Sequence, residues 1–278
     1  MKLVRYGAPG AEKPGALDAN GVLRDLSAIV ADIDALWISP GALRQLRAVD
    51  LAGLRAVPGQ PRLGPPIANI RQFIGIGLNY RRHAQESNMA LPTEPPVFHK
   101  AITSICGADD PIVLPPGSET GDWEIELGVV IGSTTRRVSE ADALDAVAGY
   151  CLANDVSDRD WQLQRGGQWS KGKSFDTFGP IGPWLVTADE IPDPQRINME
   201  LHVNGVLRQS SNTADMVFTV AYIVSHLSQF MTLLPGDVIV TGTPEGVAFG
   251  MNPPPYLKRG DVITMTMTGL GTQTHQVV

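Results

Sequence analysis

The sequence has few cysteines, no long apolar run and no excess of basic residues, and each shortage excludes a class of protein. Cys106 and Cys151 are far apart in the chain and have no Cys or His at metal-ligand spacing, so neither a disulfide framework nor a zinc site is predicted. No apolar run approaches the ~20 residues of a membrane span. The formal charge is −7 and the basic residues are scattered, which argues against a nucleic-acid partner. We therefore expect a cytoplasmic protein that binds neither membranes nor nucleic acids.

The length and the proline pattern predict two domains. A chain of 278 residues that is 43% hydrophobic can bury a large core. Four prolines crowd one short stretch where regular structure is hard to sustain, at positions 58, 61, 65 and 66. This stretch predicts a boundary between a small α/β N-terminal domain, residues 1–67, and a larger domain, residues 68–278. In the first, Asn20-Gly21 favours a two-residue hairpin turn and residues 27–55 favour a helix.

The larger domain is predicted to be mainly β. Its strand-like segments are short and bounded by Gly, Pro, Asn or Asp: FIGIG, PVFHK, PIVLP, EIELGVVIG, MELHV, DVIVTG and DVITMTM. Helices are predicted only from Ser139, where Ser139 and Asp142 match a capping box, and across residues 218–231. These helices are too few to alternate with the strands, so we expect an α+β fold and no βαβ units.

Two glutamates form the first candidate site. Glu124 and Glu126 are two residues apart in a strand-like segment, so both carboxylates project from one face. Like charges at that spacing repel unless a cation neutralises them, and hard cations such as Mg²⁺ prefer oxygen ligands. By itself, a solvent-exposed strand face is the plainer explanation. Asp155 ends a later apolar run and can supply a third oxygen ligand, although Asp158 and Asp160 compete for that role and any of them can cap a helix.

A histidine and a glutamate form the second candidate site. His83 and Glu86 stand at i and i+3 of a short predicted helix and therefore share a face. A carboxylate that accepts from one imidazole nitrogen leaves the other nitrogen free as a base toward water, whereas a surface His/Glu pair is the plainer alternative. Gly75-x-Gly77 does not predict a dinucleotide loop, because Tyr80 stands where the third glycine is needed and no βαβ unit follows.

In combination, these segments resemble the fumarylacetoacetate hydrolase family. The matching segments occur in the family's order across residues 68–278: GLNYRRHAQE, DWEIELGVVIG, YCLANDVSDRDWQ, KGKSFDTFGPIGPWLV, VNGVLRQ and PGDVIVTGTPEGV. The resemblance implies a mostly β catalytic domain, built as a rolled mixed β-sheet or barrel, and it implies a homodimer. Within the family, the run from QWSKGKSF to SQFMTLLPGDV is similar to bacterial hydrolases of 2,4-diketo-3-deoxy sugar acids of the L-rhamnonate or L-fuconate type.

The resemblance also implies roles for individual residues. Matched motif by motif, these are Glu124, Glu126 and Asp155 as ligands of Mg²⁺, Mn²⁺ or Ca²⁺; His83, Glu86 and Lys173 in catalysis; and Arg159, Gln162 and Thr243 in substrate binding. Some relatives carry another acidic ligand where this chain has Gly77 and Leu78, so only three protein ligands are expected here. Lys100 is either a neighbour of the carboxylates or an exposed lysine that closes a strand.

The implied substrate is a small 2-oxo acid, whose carboxylate and keto oxygens can chelate one metal ion. We expect a hydrolase that cleaves the carbon–carbon bond of a 2,4-dioxo acid, an acylpyruvate or a 2,4-diketo-3-deoxy sugar acid, to pyruvate and a carboxylic acid. Alternatives within the family are an oxaloacetate decarboxylase and a hydroxymuconate-type diacid isomerase or decarboxylase. A non-catalytic metabolite-binding relative is more remote, because a binding module has no evident use for a His/Glu base.

Overall fold

The computed structural model describes all residues, 1–278, and shows a β-rich α+β fold. The strands are β1 Lys2–Tyr6, β2 Lys13–Leu17, β3 Leu23–Asp25, β4 Phe73–Ile76, β5 Val97–Lys100, β6 Ile105–Cys106, β7 Gly121–Asp122, β8 Ile125–Ile131, β9 Val147–Asn154, β10 Ser157–Asp158, β11 Gly179–Thr187, β12 Asn198–Val203, β13 Val206–Asn212, β14 Val238–Val240, β15 Val262–Met267 and β16 Gly271–Gln276. The α-helices are α1 Pro40–Arg47, α2 Arg81–Glu86, α3 Ser170–Lys173 and α4 Val220–Phe230. None of them is long and apolar enough to cross a bilayer.

Two larger sheets enclose the main core. The first has the strand order β3-β2-β1-β11-β9-β8-β14-β4-β5, with β6 also paired to β11, and the second has the order β13-β12-β15-β16. Leu127 of the first sheet, Leu201 and Met265 of the second, and Leu227 of α4 belong to one buried cluster. The apolar faces of both sheets therefore supply one core, and α4 contributes to it.

The first sheet is open, so the expected barrel closure is wrong. Its two edge strands, β3 and β5, are only three and four residues long, and each pairs on one side only. A barrel requires the edge strands to pair with each other. The mostly β, mixed character of the fold is confirmed, because β14 and β4 are parallel while most other pairs are antiparallel.

The N-terminal strands extend the first sheet, because β1 pairs with β11 at Lys2 opposite Val186. The predicted helix over 27–55 is wrong except for α1 and a 3₁₀ turn at Leu51–Gly53. Asp34 accepts hydrogen bonds from the amides of Leu36 and Trp37, and such side-chain bonds compete with helix formation. A helix begins only at Pro40, after the Ser39 cap.

Turn chemistry accounts for a second difference. The hairpin between β2 and β3 forms, but its loop runs from Asp18 to Val22 and only Gly21 has a positive φ, of 76°. The predicted two-residue turn is therefore wrong. The Asp18 carboxylate accepts hydrogen bonds from the amides of Asn20 and Val22, and these bonds organise a longer loop.

The predictions for the rest of the chain hold in most segments. Strands form in all the predicted segments except PIVLP, where Ile112 makes only an isolated bridge to Val277. The helix over 218–231 is confirmed as α4, which Thr219 caps. The predicted helix from Ser139 is wrong, because only a 3₁₀ turn follows there. The Ser139 hydroxyl donates to the Asp142 carboxylate and so stabilises a turn.

Candidate metal centre and active site

Antiparallel pairing of β8 and β9 brings the three predicted metal ligands together. Ile125 lies opposite Asn154, so Glu124 and Asp155 lie across from each other, and the Asp155 amide donates to the Glu124 carbonyl at 2.9 Å. Glu126 follows on the same face of β8. One carboxylate oxygen from each residue lies within 4.8 Å of the others, and all three side chains are buried. The carboxylates therefore form a single cluster.

The two competing aspartates lie outside this cluster. Asp158 is buried, but it accepts hydrogen bonds from the hydroxyls of Ser118 and Thr120 and from the Trp161 amide, so it joins two segments of the chain. Asp160 is partly exposed and pairs with Arg165 at 2.7 Å. The geometry selects Asp155 among the three candidates.

Three buried basic side chains contact the cluster. Lys173 Nζ lies 2.6 Å from Asp155 Oδ2 and 2.9 Å from Glu124 Oε2. Lys100 Nζ donates to the other Asp155 oxygen, and Arg159 Nη1 lies 2.7 Å from Glu124 Oε1. Lys100 is thus a neighbour of the carboxylates and is not the exposed lysine of the alternative explanation.

Burial and charge act differently on the two lysines. Burial lowers the pKa of Lys100, and the nearby Lys173 ammonium lowers it further, although Asp155 opposes both effects. Burial also acts to lower the pKa of Lys173, but the charges of Asp155 and Glu124 outweigh it, and the pKa of Lys173 rises above its ordinary value. Lys173 therefore holds its proton and places a positive charge beside the carboxylates.

Glu126 is the one carboxylate of the cluster with no basic contact. It accepts a single hydrogen bond, from the Gly242 amide at 2.6 Å, and forms no ion pair. Burial and the charges of Asp155 and Glu124 raise the pKa of Glu126 well above its ordinary value. Each carboxylate oxygen has two lone pairs, so the set retains acceptor capacity beyond its present partners. Three clustered oxygen donors, one of them without a basic contact, fit a hard divalent cation.

The backbone conformation of Gly242 allows its amide to bind Glu126. It has a φ of 94°, a region that L side chains rarely adopt, in the turn that follows β14. That turn aims the Gly242 amide at Glu126, and the amide of Gly246, later in the same turn, lies 3.1 Å from both oxygens of Glu86. One loop thereby fixes two of the predicted functional carboxylates.

His83 and Glu86 are neighbours on α2, but they do not form a close hydrogen bond. His83 Nδ1 lies 3.5 Å from Glu86 Oε2, beyond the usual range of a hydrogen bond, and has no other partner. Nε2 also receives no hydrogen bond from the protein, and the ring lies on the wall of the main cleft. Catalytic hydrogen bonds are often long before substrate binds, so this geometry is compatible with a base that Glu86 orients.

The predicted substrate residues all line the cleft, and each already contacts protein. Arg159 binds Asp122 and Glu124, and its Nη1 donates to the Gln162 amide oxygen at 2.9 Å. The Thr243 hydroxyl donates to a β8 carbonyl and accepts from Gln209. The Gln162 amide nitrogen has no protein partner, and Arg159 Nη2 makes no hydrogen bond although it lies 2.8 Å from Asp122 Oδ2. The structure places these residues at the site, and their contact with substrate stays a prediction.

Sequence reasoning missed Asp122. This fully buried residue accepts a hydrogen bond from Arg159 Nε at 2.8 Å and further bonds from the amides of Trp123, Ala248 and Phe249. It thus positions the guanidinium that holds Glu124. The signal was available, because Asp122 continues the two-residue alternation of Glu124 and Glu126 in one segment.

His83, the three carboxylates, Lys173 and the three predicted substrate residues line one cleft with about 770 Å³ of empty space, part of it open to solvent. Glu86, Lys100 and Asp122 do not line it. Gly77 and Leu78, at the position where some relatives carry an acid, also line it. A side chain at Gly77 would overlap the ring of Trp169. The indole therefore fills the space beside Gly77 that a further acidic side chain would need.

Residues 72–278 match the family model described as fumarylacetoacetate (FAA) hydrolase C-terminal. The chain belongs to the fumarylacetoacetate hydrolase family. A Burkholderia ambifaria protein named "Putative hydrolase" is 58% identical over 98% of this chain and 97% of its own length. Together with the matching motifs, this identity confirms the resemblance at the level of the family.

Three solved structures have the same fold as this chain. A fumarylacetoacetate hydrolase from Exiguobacterium antarcticum aligns with a TM-score of 0.89 and 39% identity, over 100% of this chain and 99% of the other. A maleylpyruvate hydrolase from Sphingobium, solved with manganese(II) and pyruvate, aligns with a TM-score of 0.84 and 31% identity, over 100% and 99% of the two chains. A 2-hydroxyhepta-2,4-diene-1,7-dioate isomerase from Mycobacterium marinum aligns with a TM-score of 0.79 and 35% identity, over 100% and 98%.

Proposed function

We propose that this protein is a divalent-metal-dependent hydrolase that cleaves the carbon–carbon bond of a 2,4-dioxo acid to pyruvate and a carboxylic acid. The observation that carries the proposal is the buried cluster of three carboxylates on the wall of the main cleft, with Glu126 free of basic contacts. Two comparisons support the proposal. The similar Burkholderia protein is named a hydrolase, and a maleylpyruvate hydrolase of the same fold was solved with manganese(II) and pyruvate. The 2,4-dioxo acids include acylpyruvates and the 2,4-diketo-3-deoxy sugar acids of the finer resemblance.

Glu124, Glu126 and Asp155 would hold the ion, which when bound supplies electrophilic charge to a chelating 2-oxo acid. His83 takes a proton from a water molecule that attacks the carbonyl carbon C4 of the substrate. The bond between C3 and C4 then breaks, its electron pair passes to the pyruvate fragment as an enolate, and protonation at C3 gives pyruvate. Lys173, with its raised pKa, provides the positive charge beside that fragment. The other fragment leaves as the carboxylic acid.

A second candidate is a diacid isomerase, which the aligned dioate isomerase favours. Isomerisation and decarboxylation also proceed through an enolate, but neither needs a water to attack carbon. The products distinguish the three reactions. Hydrolysis of an acylpyruvate releases pyruvate and an acid, decarboxylation of oxaloacetate releases carbon dioxide, and isomerisation changes the absorption spectrum without changing the mass.

The test is a turnover assay of protein stripped of metal and then reloaded with Mg²⁺ or Mn²⁺. We expect pyruvate release from acetylpyruvate to disappear on stripping and to return on reloading. Full activity in protein verified as metal-free would contradict the metal requirement. Absence of pyruvate release from every 2,4-dioxo acid, with metal binding verified, would contradict the hydrolase. The homodimer also stays a proposal, which sedimentation equilibrium can test.

A further inference from the structure

The cleft is lined by apolar side chains as well as by carboxylates. The large apolar side chains on its wall include Leu78, Met89, Phe98, Leu163, Trp169 and Phe249. Met89 and Phe249 are 48% and 43% exposed, although large apolar side chains gain free energy when they leave water. Single exposed apolar residues are ordinary, but these two line the same cleft as four others. They form a surface that a ligand can cover.

The apolar wall begins directly beside the proposed reacting groups. The Lys173 ammonium lies 5.1 Å from the centre of the Phe98 ring, and the rings of Phe98 and Trp169 lie 5.7 Å apart at 60°. Trp169 directly precedes α3, which ends at Lys173. A substrate group attached to C4 would therefore leave the reacting centre along this wall.

The Gly75-x-Gly77 pattern at the end of β4, where Gly77 directly follows the strand, makes room for both rings. Side chains two residues apart in a strand project from the same face. A Cβ at Gly75 would overlap the ring of Phe98, and one at Gly77 would overlap the ring of Trp169. The two glycines thus leave a recess in which the aromatic rings lie. This is a structural reason for a motif that does not serve a nucleotide.

Few uncharged polar groups of the lining are available to a substituent. The Ser87 hydroxyl, the Gln162 amide nitrogen and the Trp169 indole nitrogen have no protein partner. A chain with several hydroxyl groups would lose hydrogen bonds to water without regaining them. A second carboxylate would need a free cation, but Arg159 and Lys173 already contact carboxylates and His83 is the proposed base.

We infer that the acyl group of the natural substrate is apolar, an alkyl or aryl chain, and that Trp169 determines this specificity. The inference rests on the proposed function and narrows it. It favours acylpyruvates over both the polyhydroxylated sugar acids of the finer resemblance and substrates with a second carboxylate.

The experiment compares kcat/KM of the metal-loaded enzyme across 2,4-dioxo acids that differ only in the acyl group: acetyl, pentanoyl, benzoyl, a polyhydroxylated chain and a chain that ends in a carboxylate. We expect pentanoylpyruvate to exceed acetylpyruvate by roughly tenfold or more, since each methylene buried in an apolar pocket favours binding. The polyhydroxylated and carboxylate-terminated compounds should be the poorest substrates.

Variants of the apolar wall then test whether these side chains cause the preference for a longer acyl chain. Trp169→Ala should reduce the ratio of pentanoyl to acetyl activity, and Trp169→Phe should restore most of it. Trp161→Ala is the matched control, because Trp161 packs on Phe175 and Arg165 outside the cleft, and it should leave the ratio unchanged. Phe249→Ser, at an exposed rim position, tests the same wall if Trp169→Ala folds poorly.

The outcomes separate the two proposals. If the enzyme cleaves these compounds but prefers the polyhydroxylated or carboxylate-terminated ones, or if both wall variants keep the wild-type ratio, the apolar pocket is wrong and the hydrolase stands. If metal-loaded enzyme releases pyruvate from none of the compounds, the hydrolase itself is wrong and the inference falls with it.

Discussion

Two clusters of charged side chains in this molecule have similar composition and different organisation. The arginine clamp consists of Arg5, Glu12, Asp32, Arg62 and Asp110, and it ties the N-terminal strands to the rest of the protein. The cleft cluster consists of Lys100, Asp122, Glu124, Glu126, Asp155, Arg159 and Lys173. In the clamp, every carboxylate contacts a guanidinium. In the cleft cluster, Glu126 contacts none.

This difference separates a structural cluster from a functional one. Arg62 binds Asp110 and lies 2.9 Å from Glu12. These two carboxylates raise the pKa of Arg62, although burial acts to lower it. Paired charges of this kind require no further ion. Glu126, in contrast, is buried beside two other carboxylates with its pKa raised, on the wall of an open cleft. A buried carboxyl group that has a shifted pKa, no basic partner and empty space beside it is the feature that indicates a binding site.

The largest expected effect concerns the proposed base. His83→Ala should lower acylpyruvate hydrolysis by on the order of 10²–10⁴-fold, the usual contribution of a positioned general base. Any oxaloacetate decarboxylation should fall much less, because that reaction removes no proton from water. Steady-state rates of both reactions, at matched metal occupancy, measure the difference. A parallel fall would mean that His83 orders the cleft generally and is not the base.

The next effect concerns Asp122. Asp122→Asn should lower kcat/KM by about 10–100-fold, the usual cost of losing a residue that orients a ligand of the site. The variant weakens the hold on Arg159, which contacts Glu124. Asp158→Asn is the matched control, because Asp158 is equally buried but its carboxylate binds Ser118, Thr120 and the Trp161 amide and no member of the cleft cluster. If both variants lose the same activity, the effect is one of general stability.

In the clamp, substitution should change stability and leave activity intact. Arg62→Met leaves Asp110 without a guanidinium and Glu12 with only the more distant Arg5, and it should lower the free energy of unfolding by about 2 kcal/mol. Denaturant titration measures this value, and kcat/KM measured well below the unfolding transition should match the wild type. A loss of activity at full folding would give the clamp a functional role and end the distinction between the clusters.

The smallest effect is a pH dependence in the clamp. Burial acts to raise the pKa of Asp110, but hydrogen bonds from Arg62 and the Gly107 amide outweigh it, and the pKa is lowered. A carboxyl group with a lowered pKa stabilises the fold above its unfolded pKa, near 3.9, and loses that contribution as the pH falls through its folded pKa.

Asp110→Asn should therefore be less stable than wild type at neutral pH, and the difference should shrink in acid. Unfolding midpoints from pH 7 to pH 3 give the profile. Asp160→Asn, which breaks an exposed pair with Arg165, is the control and should change stability little at any pH. A difference that is constant with pH would exclude the ionised Asp110 as its cause.

The site was more predictable from sequence than the details of the fold. Two-residue alternation placed Glu124 and Glu126 on one face, but selecting Asp155 from three aspartates required the pairing of β8 with β9. Lys100 could not be assigned, because a lysine at the end of a strand is usually exposed and only the tertiary structure brings it to Asp155. The long helix at 27–55 failed because local side-chain bonds and Pro40 oppose it, and helical periodicity does not report such competition.

The central claim is tested most directly by calorimetric titration of Mn²⁺ into metal-stripped wild type, Glu126→Ala and, from the clamp, Glu12→Ala. We expect one ion per chain in the wild type and in Glu12→Ala, and greatly weakened binding in Glu126→Ala. Glu126→Ala removes one of three carboxylates that repel each other. Electrostatics therefore gives no reason for the unfolding temperature of the metal-free variant to fall. Equal Mn²⁺ affinity in wild type and Glu126→Ala would place the metal elsewhere and contradict the account.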